Sequence, residues 1–531
     1  MVSIVQCAFF LAFILVIASS FFLTSLLKIK GIVPYLLTIY IISSANIIFA
    51  GEIAGLSNQL NNRFIFLFVH LLILAVSFFI WIKLGKPSLF APLVSLFSQI
   101  KTVANWDYVK KHPLLVLLGI GVGLSYLLAM ILIVVVPPNN YDSMTCHMTR
   151  IGYWLQNGNF LPWPTWFTLQ VDYPINAQIE ILWSVLFWRS DTFAGFAEWF
   201  AAIFSIIAVY GIARLTNRRR SQALFACFIY SLFPQILLQS TSTMNHLLGS
   251  ALVIISVYFV FLSTKLNQKI FLILAGLAIG LAIGVHLIVI ILVPGYALTI
   301  LFIAFKYRKK QPRIIQWFVV SAFISFTLFS SYMFIQNYYF WKQPLGRSAA
   351  ANPWSLQTSD EIVNKNSYWQ PKNILKYTFY NLSKYVFASY DLTGIPNDLA
   401  EPLYTLRDNI AIPFFEQTGN PTHLGEFDIN ARVPAVSENW AWFGMVSFVL
   451  FFPLIIIGII ESIRKKDEIT GALIFNILFY ALIWSAFLAR ENGWSMYSGR
   501  YFVPTAMFFA PLIAIVYQKN LWSRILCSFL V

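Results

Sequence analysis

The sequence predicts an all-α membrane protein that crosses the bilayer about thirteen times. Three observations support this fold class. Hydrophobic residues make up 59% of the 531-residue chain and charged residues only 11%, so the apolar surface is too large for the core of a soluble protein. Apolar stretches of about 17 to 25 residues recur along the chain, and each is long enough to span the hydrocarbon layer. Basic residues cluster between these stretches, as is typical of short loops beside a membrane.

The first apolar stretch begins almost at Met1, and no basic residue precedes it. Because a cleavable signal peptide starts with a positively charged region, we expect this stretch to be a retained span. The other spans are assigned by the same criteria of length and hydropathy. The predicted spans are centred near residues 15, 41, 74, 125, 203, 229, 253, 277, 296, 325, 450, 479 and 509.

The basic clusters predict the orientation of the spans, because short loops rich in Lys and Arg stay in the cytoplasm. With the spans placed as above, all of these clusters fall on one side. We therefore expect a multi-pass protein of the plasma (inner) membrane, with its N-terminus exoplasmic and its C-terminus cytoplasmic. The clusters are Lys28/Lys30, Lys83 to Lys111, Arg218-Arg219-Arg220, Lys265/Lys269, Lys306 to Arg313, Arg464-Lys465-Lys466 and Lys519 to Arg524.

The formal charge of +15 is explained by these loops beside anionic headgroups. The lipid bilayer is therefore the expected partner of the positive charge, and no nucleic acid is expected. Three of the four cysteines lie in or beside apolar runs and Cys146 has no evident exoplasmic partner, so no disulfide is expected. The sequence also contains no CxxC pair that would predict a metal site.

The span positions divide the chain into four parts. Residues 1–112 hold three N-terminal spans and a cytoplasmic loop. Residues 113–335 hold the main transmembrane core, with a first exoplasmic loop at 137–192. Residues 336–438 form a second exoplasmic segment, where acids and bases nearly balance and Tyr, Trp, Asn and Pro are frequent, so we expect a small loop domain. Residues 439–531 hold the C-terminal spans.

Asp142 is the strongest indication of chemistry in the first loop. It comes shortly after the apolar run Pro113 to Val136, so it lies where the chain leaves the bilayer. The sequence TRIGYWLQNG that follows predicts a helix lying along the interface, which ends at Asn157-Gly158. Helical spacing places the apolar side chains on one face and a mixed group on another. The apolar face holds Met144, Met148, Ile151 and Leu155, and the other holds His147, Arg150 and Trp154.

A second helix is predicted over Asn176 to Trp188, after the proline-stiffened turn LPWPT. This stretch is apolar but too short to cross the membrane comfortably. Arg189 and Asp191 separate it from the next full span. We therefore expect a juxtamembrane helix that packs against the bundle.

The order of these motifs resembles that of the C-type (GT-C) glycosyltransferases, near the bacterial protein O-mannosyltransferases and aminoarabinose transferases. A span followed by YDSMTCHMTRIGYWLQNGNFLPWPT and DYPINAQIEIL is similar to their first external loop, which usually reads D-S-x-x-Y-H-x-P-R with W-x-x-x-G further on. The resemblance covers the chain from about Pro113 onward, and the first three spans look like an N-terminal addition. Three further pieces fit: QSTSTMNH (Gln239 to His246), GLAIGLAIGVH (Gly276 to His286) and GRYFVP (Gly499 to Pro504).

The resemblance implies an inverting transfer of a sugar from a polyprenyl-phosphate donor to an exoplasmic glycan, lipid or protein. Asp142 matches the family's base, which takes the proton of the acceptor. The alternative is that Asp142 caps a helix N-terminus. Arg500 and Tyr501 match the family's R-Y pair, and Arg500 would hold the leaving phosphate. The alternative for Arg500 is a side chain that anchors a helix end at the interface.

Other candidates for substrate binding are polar side chains in the first loop and at the outer ends of spans. Each has a structural alternative, as part of an exposed face or as a satisfied buried group. No cofactor follows from the sequence, and a divalent metal stays open because the acids and histidines are not grouped at ligand spacing. The candidates are His147, Arg150, Glu180, His246 and His286.

Three rival functions are compatible with the composition. A polysaccharide ligase or polymerase of the same fold is the nearest alternative. A lipid or sugar transporter (flippase) would also have many spans, but the sequence does not contain the paired short, broken helices of inverted-repeat transporters. A scaffold or receptor would need neither the Asp142 loop nor the Arg500-Tyr501 pair.

Overall fold

The chain is almost entirely helical in the part that the computed structural model describes. Within that part, the only strands are β1 (His423–Leu424) and β2 (Phe427–Asp428), which pair antiparallel. Nine described helices are long and apolar enough to cross a membrane, and there is a tenth span if two helices bent by 62° are taken as one. The predicted all-α, multi-pass fold class is confirmed. The described residues are 4–94, 106–165, 167–346, 371–420, 423–424, 427–428, 436–488 and 497–518.

Helix ends in the first part of the chain follow local signals. The side chain of Asn62 accepts a hydrogen bond from Phe64 N at 3.0 Å and caps α3. Pro113 begins α5 at a position where its missing N–H costs nothing. Gly158 ends α6 in the left-handed conformation (φ 73°), as the sequence predicts. The elements are α1 (Ile4–Leu26), α2 (Ile32–Leu56), α3 (Arg63–Lys83), α4 (Trp106–Lys111), α5 (Pro113–Val135), a π-helix (Ser143–Met148), α6 (Thr149–Asn157), α7 (Leu169–Asp172) and α8 (Asn176–Trp188).

The remainder of the chain supplies the centre of the bundle and the second group of loops. Its elements are α9 (Phe196–Leu215), α10 (Arg220–Ser231), α11 (Pro234–Gln239), α12 (His246–Leu266), α13 (Lys269–Ile283), α14 (Ile288–Tyr307), α15 (Ile314–Phe329), α16 (Ser331–Trp341), α17 (Pro371–Ala388), α18 (Asn397–Thr418), α19 (Gly444–Lys465), α20 (Glu468–Leu488), α21 (Ser498–Tyr501), α22 (Val503–Phe509) and a 3₁₀-helix (Ala510–Ile515).

The predicted count of about thirteen spans is not confirmed. Nine of the predicted centres fall in helices of 20 to 25 residues, and the centre near 325 falls in the bent pair α15 and α16. The centres near 229, 277 and 509 fall in α10, α13 and α22, which have only 12, 15 and 7 residues. A straight crossing needs about 20 helical residues at 1.5 Å each, so these three helices fall short of that length and the count of thirteen stays a prediction.

Helix α12 is the centre of the bundle. Every residue from His246 to Ser263 is buried, as expected for a helix that is apolar on all sides. Its N-terminus is held by the carboxylate of Glu198 on α9, which accepts hydrogen bonds from Leu247 N and Leu248 N at 2.9 Å each. The carboxylate satisfies two of the N–H groups that the first helical turn leaves unpaired, and its charge complements the helix dipole.

Helices α13 and α15 approach each other closely through small residues. A Cβ atom on Gly276 would lie 1.9 Å from Ser321 Oγ, and one on Gly280 would lie 2.5 Å from Ser325 Oγ. Two glycines four residues apart therefore allow the backbones to come together, a common way for helices to associate in a membrane.

The three N-terminal helices are joined to the core by a buried hydrogen-bond network. Asn46 Nδ2 donates to Ser19 Oγ at 2.9 Å, and Asn46 Oδ1 lies 2.8 Å from His70 Nδ1. On the other side of the ring, Trp183 Nε1 donates to His70 Nε2 at 2.9 Å. His70 therefore donates through Nδ1, and the network links α1, α2, α3 and α8. The first three helices are docked on the helix predicted over Asn176 to Trp188, whose bounds are confirmed.

The described part of the predicted loop domain rests on the bundle. Asn381 on α17 donates to Ser485 O at 3.0 Å, and the carboxylate of Asp391 accepts from Trp442 N at 2.8 Å at the start of α19. The domain boundaries stay a prediction. Residues 95–105 of one basic cluster, residues 347–370 of the loop domain and the cluster Lys519 to Arg524 lie outside the described residues.

Candidate functional site

The position of Asp142 is fixed by the way the chain leaves α5. After the prolines Pro137 and Pro138, the side chain of Asn140 accepts a hydrogen bond from Ser143 N at 2.7 Å. Asn140 therefore caps the π-helix Ser143–Met148, and Asp142 makes no capping hydrogen bond. The N-cap interpretation of Asp142 does not hold in this structure, and its carboxylate is available for a contact elsewhere.

The carboxylate of Asp142 pairs with Arg500, which is 358 residues away in the sequence. Arg500 Nη1 lies 2.5 Å from Asp142 Oδ2, and the arginine side chain is only 8% exposed while that of Asp142 is 24% exposed. Arg500 Nη1 also donates to Asn439 Oδ1 at 3.1 Å. The guanidinium lies near the rings of Tyr497 and Tyr501, at 5.1 and 5.3 Å from their centroids. The cation is thus buried among one acid, one amide and two aromatic rings.

The pair leaves donor and acceptor positions unused. Among the described residues, Arg500 Nε is buried and has no hydrogen-bond partner. Arg500 Nη2 makes only a long contact of 3.4 Å with the Tyr501 hydroxyl. On the acid, Oδ2 is held by Arg500, whereas the hydrogen bonds among the described residues do not engage Oδ1 of Asp142. One edge of the guanidinium and one carboxylate oxygen therefore remain for a ligand.

The position of Arg500 depends on a close backbone contact at the preceding residue, Gly499. A Cβ atom on Gly499 would lie 2.3 Å from the carbonyl oxygen of Ala441, so glycine lets α21 approach the loop before α19. The same loop carries Asn439. In this loop, the backbone carbonyl oxygen of Glu438 accepts hydrogen bonds from Gln235 Nε2 at 3.0 Å and from Gln239 Nε2 at 2.9 Å. Two glutamines of α11 thus position the amide that contacts Arg500.

Tyr501 and two of the predicted histidines form an aromatic cluster next to Arg500. The rings of His246 and His286 lie 4.8 Å apart, and the Tyr501 ring lies 5.3 Å from His246 and 6.2 Å from His286. His286 Nδ1 accepts a hydrogen bond from Ile288 N at 2.9 Å, whereas His246 Nδ1 is buried without a partner among the described residues. The structure therefore brings Asp142, Arg500, Tyr501, His246 and His286 to one place.

His147 lies on the inner face of the helical segment that follows Asp142. Its Nδ1 is 2.5 Å from Gln178 Nε2 on α8, which donates the hydrogen bond. Burial, together with the charges of Arg150 and Arg500, lowers the pKa of His147 to about 3. The ring is therefore neutral near pH 7, and with Nδ1 accepting it carries its proton on Nε2.

Arg150, unlike His147, contacts backbone carbonyl groups and an aromatic ring. Its Nη1 and Nη2 donate to the carbonyl oxygens of Pro174 and Tyr173 at 3.1 and 2.6 Å, and the guanidinium lies 5.1 Å from the Trp154 ring. Burial lowers the pKa of Arg150 to about 10, which still leaves it charged near neutral pH. The face that holds His147, Arg150 and Trp154 is thus buried, whereas Met144 of the predicted apolar face is exposed. Arg150 joins this helix to the turn before α8.

Glu180 is not brought to the Asp142–Arg500 pair. It lies two residues after Gln178 on α8, and a separation of two residues turns a side chain to the opposite side of a helix. Glu180 lines a separate, mainly apolar cavity of about 400 Å³ with Tyr40, Ser44 and Trp183. Its predicted role in substrate binding at the site of Asp142 has no contact that supports it.

A second apolar cavity has a volume of about 450 Å³. Phe502 follows Tyr501 in the chain and forms part of its wall, and Trp442, in the loop that carries Asn439, forms another part. The ring centroids of Trp442 and Phe502 are 5.6 Å apart. Further wall residues are Tyr385, Phe443, Phe448 and Phe509. The wall reaches the segment of Arg500 through Phe502, two residues further along the chain.

No group of three or more His, Cys, Asp or Glu side chains in the described part of the chain is arranged to hold a metal ion. The sequence interpretation missed Asn439, Tyr497, Gln178 and Glu198. The motif QSTSTMNH includes Gln239, which holds the Asn439 loop, but it gives no indication of the amide itself.

No family model and no curated protein matches this sequence. Solved structures that resemble it include the apo form of the Archaeoglobus fulgidus oligosaccharyltransferase, with a TM-score of 0.41 and 13% identity over 79% of this chain and 52% of that one. They also include the archaeal oligosaccharyltransferase AglB from Archaeoglobus fulgidus in complex with an inhibitory peptide and a dolichol-phosphate, with a TM-score of 0.39 and 15% identity over 80% and 52% of the two chains. This chain spans about half the length of either protein.

Proposed function

We propose that this chain is a membrane glycosyltransferase that moves a sugar from a polyprenyl-phosphate donor to an acceptor at the Asp142 end of the bundle. The observation that carries the proposal is the contact between Asp142 and Arg500. The 450 Å³ apolar cavity has Phe502, two residues after Arg500, in its wall. Transfer from a lipid phosphate needs a base for the acceptor, a cation for the leaving phosphate and an apolar site for the lipid chain. The arrangement offers one candidate for each.

The donor phosphate is assigned to the unused edge of Arg500. The buried Nε and the weakly engaged Nη2 provide two parallel N–H groups, which match two phosphate oxygens. The first isoprene units would then enter the cavity past Phe502 and Trp442. This placement keeps the hydrogen bond between Arg500 and Asp142, so the acid stays oriented while the phosphate binds.

Asp142 is assigned as the base through its Oδ1 atom. As an acceptor hydroxyl or amine attacks the anomeric carbon, its proton passes to Asp142 and the bond between that carbon and the phosphate oxygen breaks. The electron pair of this bond leaves with the polyprenyl phosphate, whose increased negative charge faces Arg500. Attack opposite the leaving group inverts the configuration at the anomeric carbon.

The neighbouring polar rings are assigned to the sugar. Neutral His147, with its proton on Nε2, and the cluster of His246, His286 and Tyr501 offer both donors and acceptors to hydroxyl groups. Glu198 supports this cluster indirectly, because it holds the first turn of the helix that begins at His246.

The test is transfer of a labelled sugar from a polyprenyl-phosphate donor by purified protein in lipid nanodiscs. Asp142→Asn keeps the size and the Arg500 contact but cannot accept a proton, so the rate should fall roughly 100-fold or more. Asp398→Asn is the matched control, because Asp398 is an exposed acid in the first turn of α18. It should transfer at the normal rate.

The proposal fails if well-folded Asp142→Asn protein transfers sugar at the rate of the unmodified chain. Transport of the intact lipid-linked sugar across the bilayer, without cleavage of the sugar phosphate bond, would instead identify the chain as a flippase. Growth of a glycan by addition of whole repeat units would identify a ligase or polymerase.

A further inference from the structure

A cationic cavity lies at the end of the bundle remote from Asp142, which we call the basic end. Helix α12 begins beside Arg500 at His246 and reaches the basic end at Lys265, so its 21 residues separate the two places by about 30 Å. The cavity has a volume of about 320 Å³ and lies among the ends of α9, α12, α14 and α19. Its charged wall residues are Arg218, Arg219, Lys265, Lys465, Lys466, Asp467 and Glu468.

The acids at this place neutralise only part of the positive charge. Arg218 and Lys465 share one carboxylate, that of Glu461, with a Lys465 Nζ to Oε1 distance of 2.7 Å. Lys306 pairs with Glu468 at 2.6 Å. Asp467 is engaged by the N–H and hydroxyl groups at the start of α20, including a 2.7 Å hydrogen bond from Thr470 Oγ1. The described contacts include no ion pair for three further cations of the cavity wall, which are Arg219, Lys265 and Lys466.

An apolar groove adjoins the cationic cavity. It has a volume of about 480 Å³ and runs between α14 and α20. Lys466 and Glu468 belong to the walls of both spaces, so the two adjoin each other. The apolar walls are Leu298, Phe302, Ala472 and Phe475. Cations at one end and exposed hydrocarbon along the rest match the two parts of a phospholipid.

We infer that the basic end binds one anionic phospholipid, with its phosphate in the cationic cavity and one acyl chain in the groove. Lys and Arg side chains bind phosphate oxygens through charge-assisted hydrogen bonds, and basic pockets between membrane helices on the cytoplasmic side bind acidic headgroups. The three unpaired cations supply the attraction, and the groove distinguishes a lipid from a soluble phosphate. This site is separate from the Asp142–Arg500 pair, and the inference does not depend on the proposed transfer.

The test measures the thermal unfolding midpoint of the purified full chain in detergent while phosphatidylglycerol is added. Phosphatidylglycerol should raise the midpoint, whereas phosphatidylcholine and soluble glycerol 1-phosphate should raise it much less. In the variant Arg219→Gln/Lys265→Gln/Lys466→Gln, the lipid concentration for half of the effect should rise about fivefold for each cation removed. The control Lys86→Gln/Lys309→Gln/Lys310→Gln removes three exposed lysines outside both walls, and it should respond normally.

The groove is tested separately with Leu298→Trp, which enlarges an exposed wall residue and leaves every cation in place. This variant should lose much of its response to phosphatidylglycerol. Three results would overturn the inference. If glycerol 1-phosphate raised the midpoint as much as phosphatidylglycerol, the cavity would be a site for soluble phosphates. If phosphatidylcholine raised it as much, the site would have no preference for an anionic headgroup. If the lysine control lost as much of the response as the triple variant, the effect would be one of general surface charge.

Discussion

The Asp142 end and the basic end of the bundle each contain an arginine paired with an acid far away in the sequence, but their surroundings differ. Arg500 and Asp142 are 358 residues apart, and Arg218 and Glu461 are 243 residues apart. At the Asp142 end, Arg500 pairs with one acid, and the Asn439 amide and two tyrosine rings surround the guanidinium. At the basic end one acid serves two cations, and three more cations lie nearby.

This difference indicates what each pair contributes. At the Asp142 end the charges balance, and the unused Arg500 Nε and Asp142 Oδ1 can act on a substrate without loss of the contact. At the basic end the pair ties α19 to the chain just before α10, while the surrounding surface remains positive. Under the proposed function, a similar contact thus orients reacting groups at one end, whereas at the other it joins two distant parts of the chain.

The sharpest test of the comparison replaces each arginine by alanine. Arg500→Ala should reduce kcat/KM for the polyprenyl-phosphate donor by an amount equal to about 1.5 to 3 kcal/mol, since a charge-assisted contact with the phosphate is lost. Arg500→Lys should recover only part of the activity, because lysine lacks the planar fork. Arg218→Ala should leave donor kinetics unchanged. Equal loss in the two alanine variants would show that Arg500, like Arg218, acts only on the structure.

A pH titration tests whether His147 at the Asp142 end is neutral. Burial, with Arg150 and Arg500 nearby, lowers its pKa from 6.5 to about 3, so the unfolded chain binds the proton first as the pH falls. The free energy of unfolding should therefore decrease from about pH 6.5 downward, and His147 should account for about 2 kcal/mol of the decrease at about pH 5.

His147→Asn removes this titration and should show a shallower loss of stability over the same range, measured by thermal unfolding in detergent. The comparison concerns the slope with pH, because the variant also loses the hydrogen bond to Gln178 and starts from a lower stability. Identical slopes for the two proteins would mean that His147 titrates alike in the folded and unfolded chains.

The smallest expected effect is at Lys465, which pairs with Glu461 one helical turn away. The Lys465 side chain is largely exposed, and exposed ion pairs of this spacing stabilise a helix by only about 0.3 to 0.5 kcal/mol. Lys465→Gln should therefore change the thermal midpoint very little, because Arg218 still pairs with Glu461. If the free energy of unfolding fell by more than about 1 kcal/mol, both cations would be required to stabilise the buried part of Glu461.

Much of the fold follows from patterns that are local in the sequence. Apolar runs identified the nine helices that can span a membrane and the bent pair, and Gly158 ends α6 where the sequence places the end. The helix Asn176–Trp188 has the predicted bounds. Hydropathy could not separate spans from short buried helices, because both exclude polar residues. The lengths of α10, α13 and α22, which are 12, 15 and 7 residues, are seen only in the folded structure.

The candidate site was predicted in part. Asp142, Arg500, Tyr501, His246 and His286 were identified individually, but no local pattern states that they meet. Glu180 was grouped with them because it is an acid in the same loop region. The structure turns it to the other side of α8, toward a different cavity.

The sequence by itself determined that this is a helical membrane protein. The length and hydropathy of a segment depend only on consecutive residues, so both can be read directly from the sequence. It also determined which polar side chains come at the ends of helices. Only the tertiary structure decided that Arg500 reaches Asp142 and that Asn439 joins them. These contacts depend on how helices from distant parts of the chain pack, as where Gly499 lets the backbone approach Ala441, and such distances are set by the whole bundle.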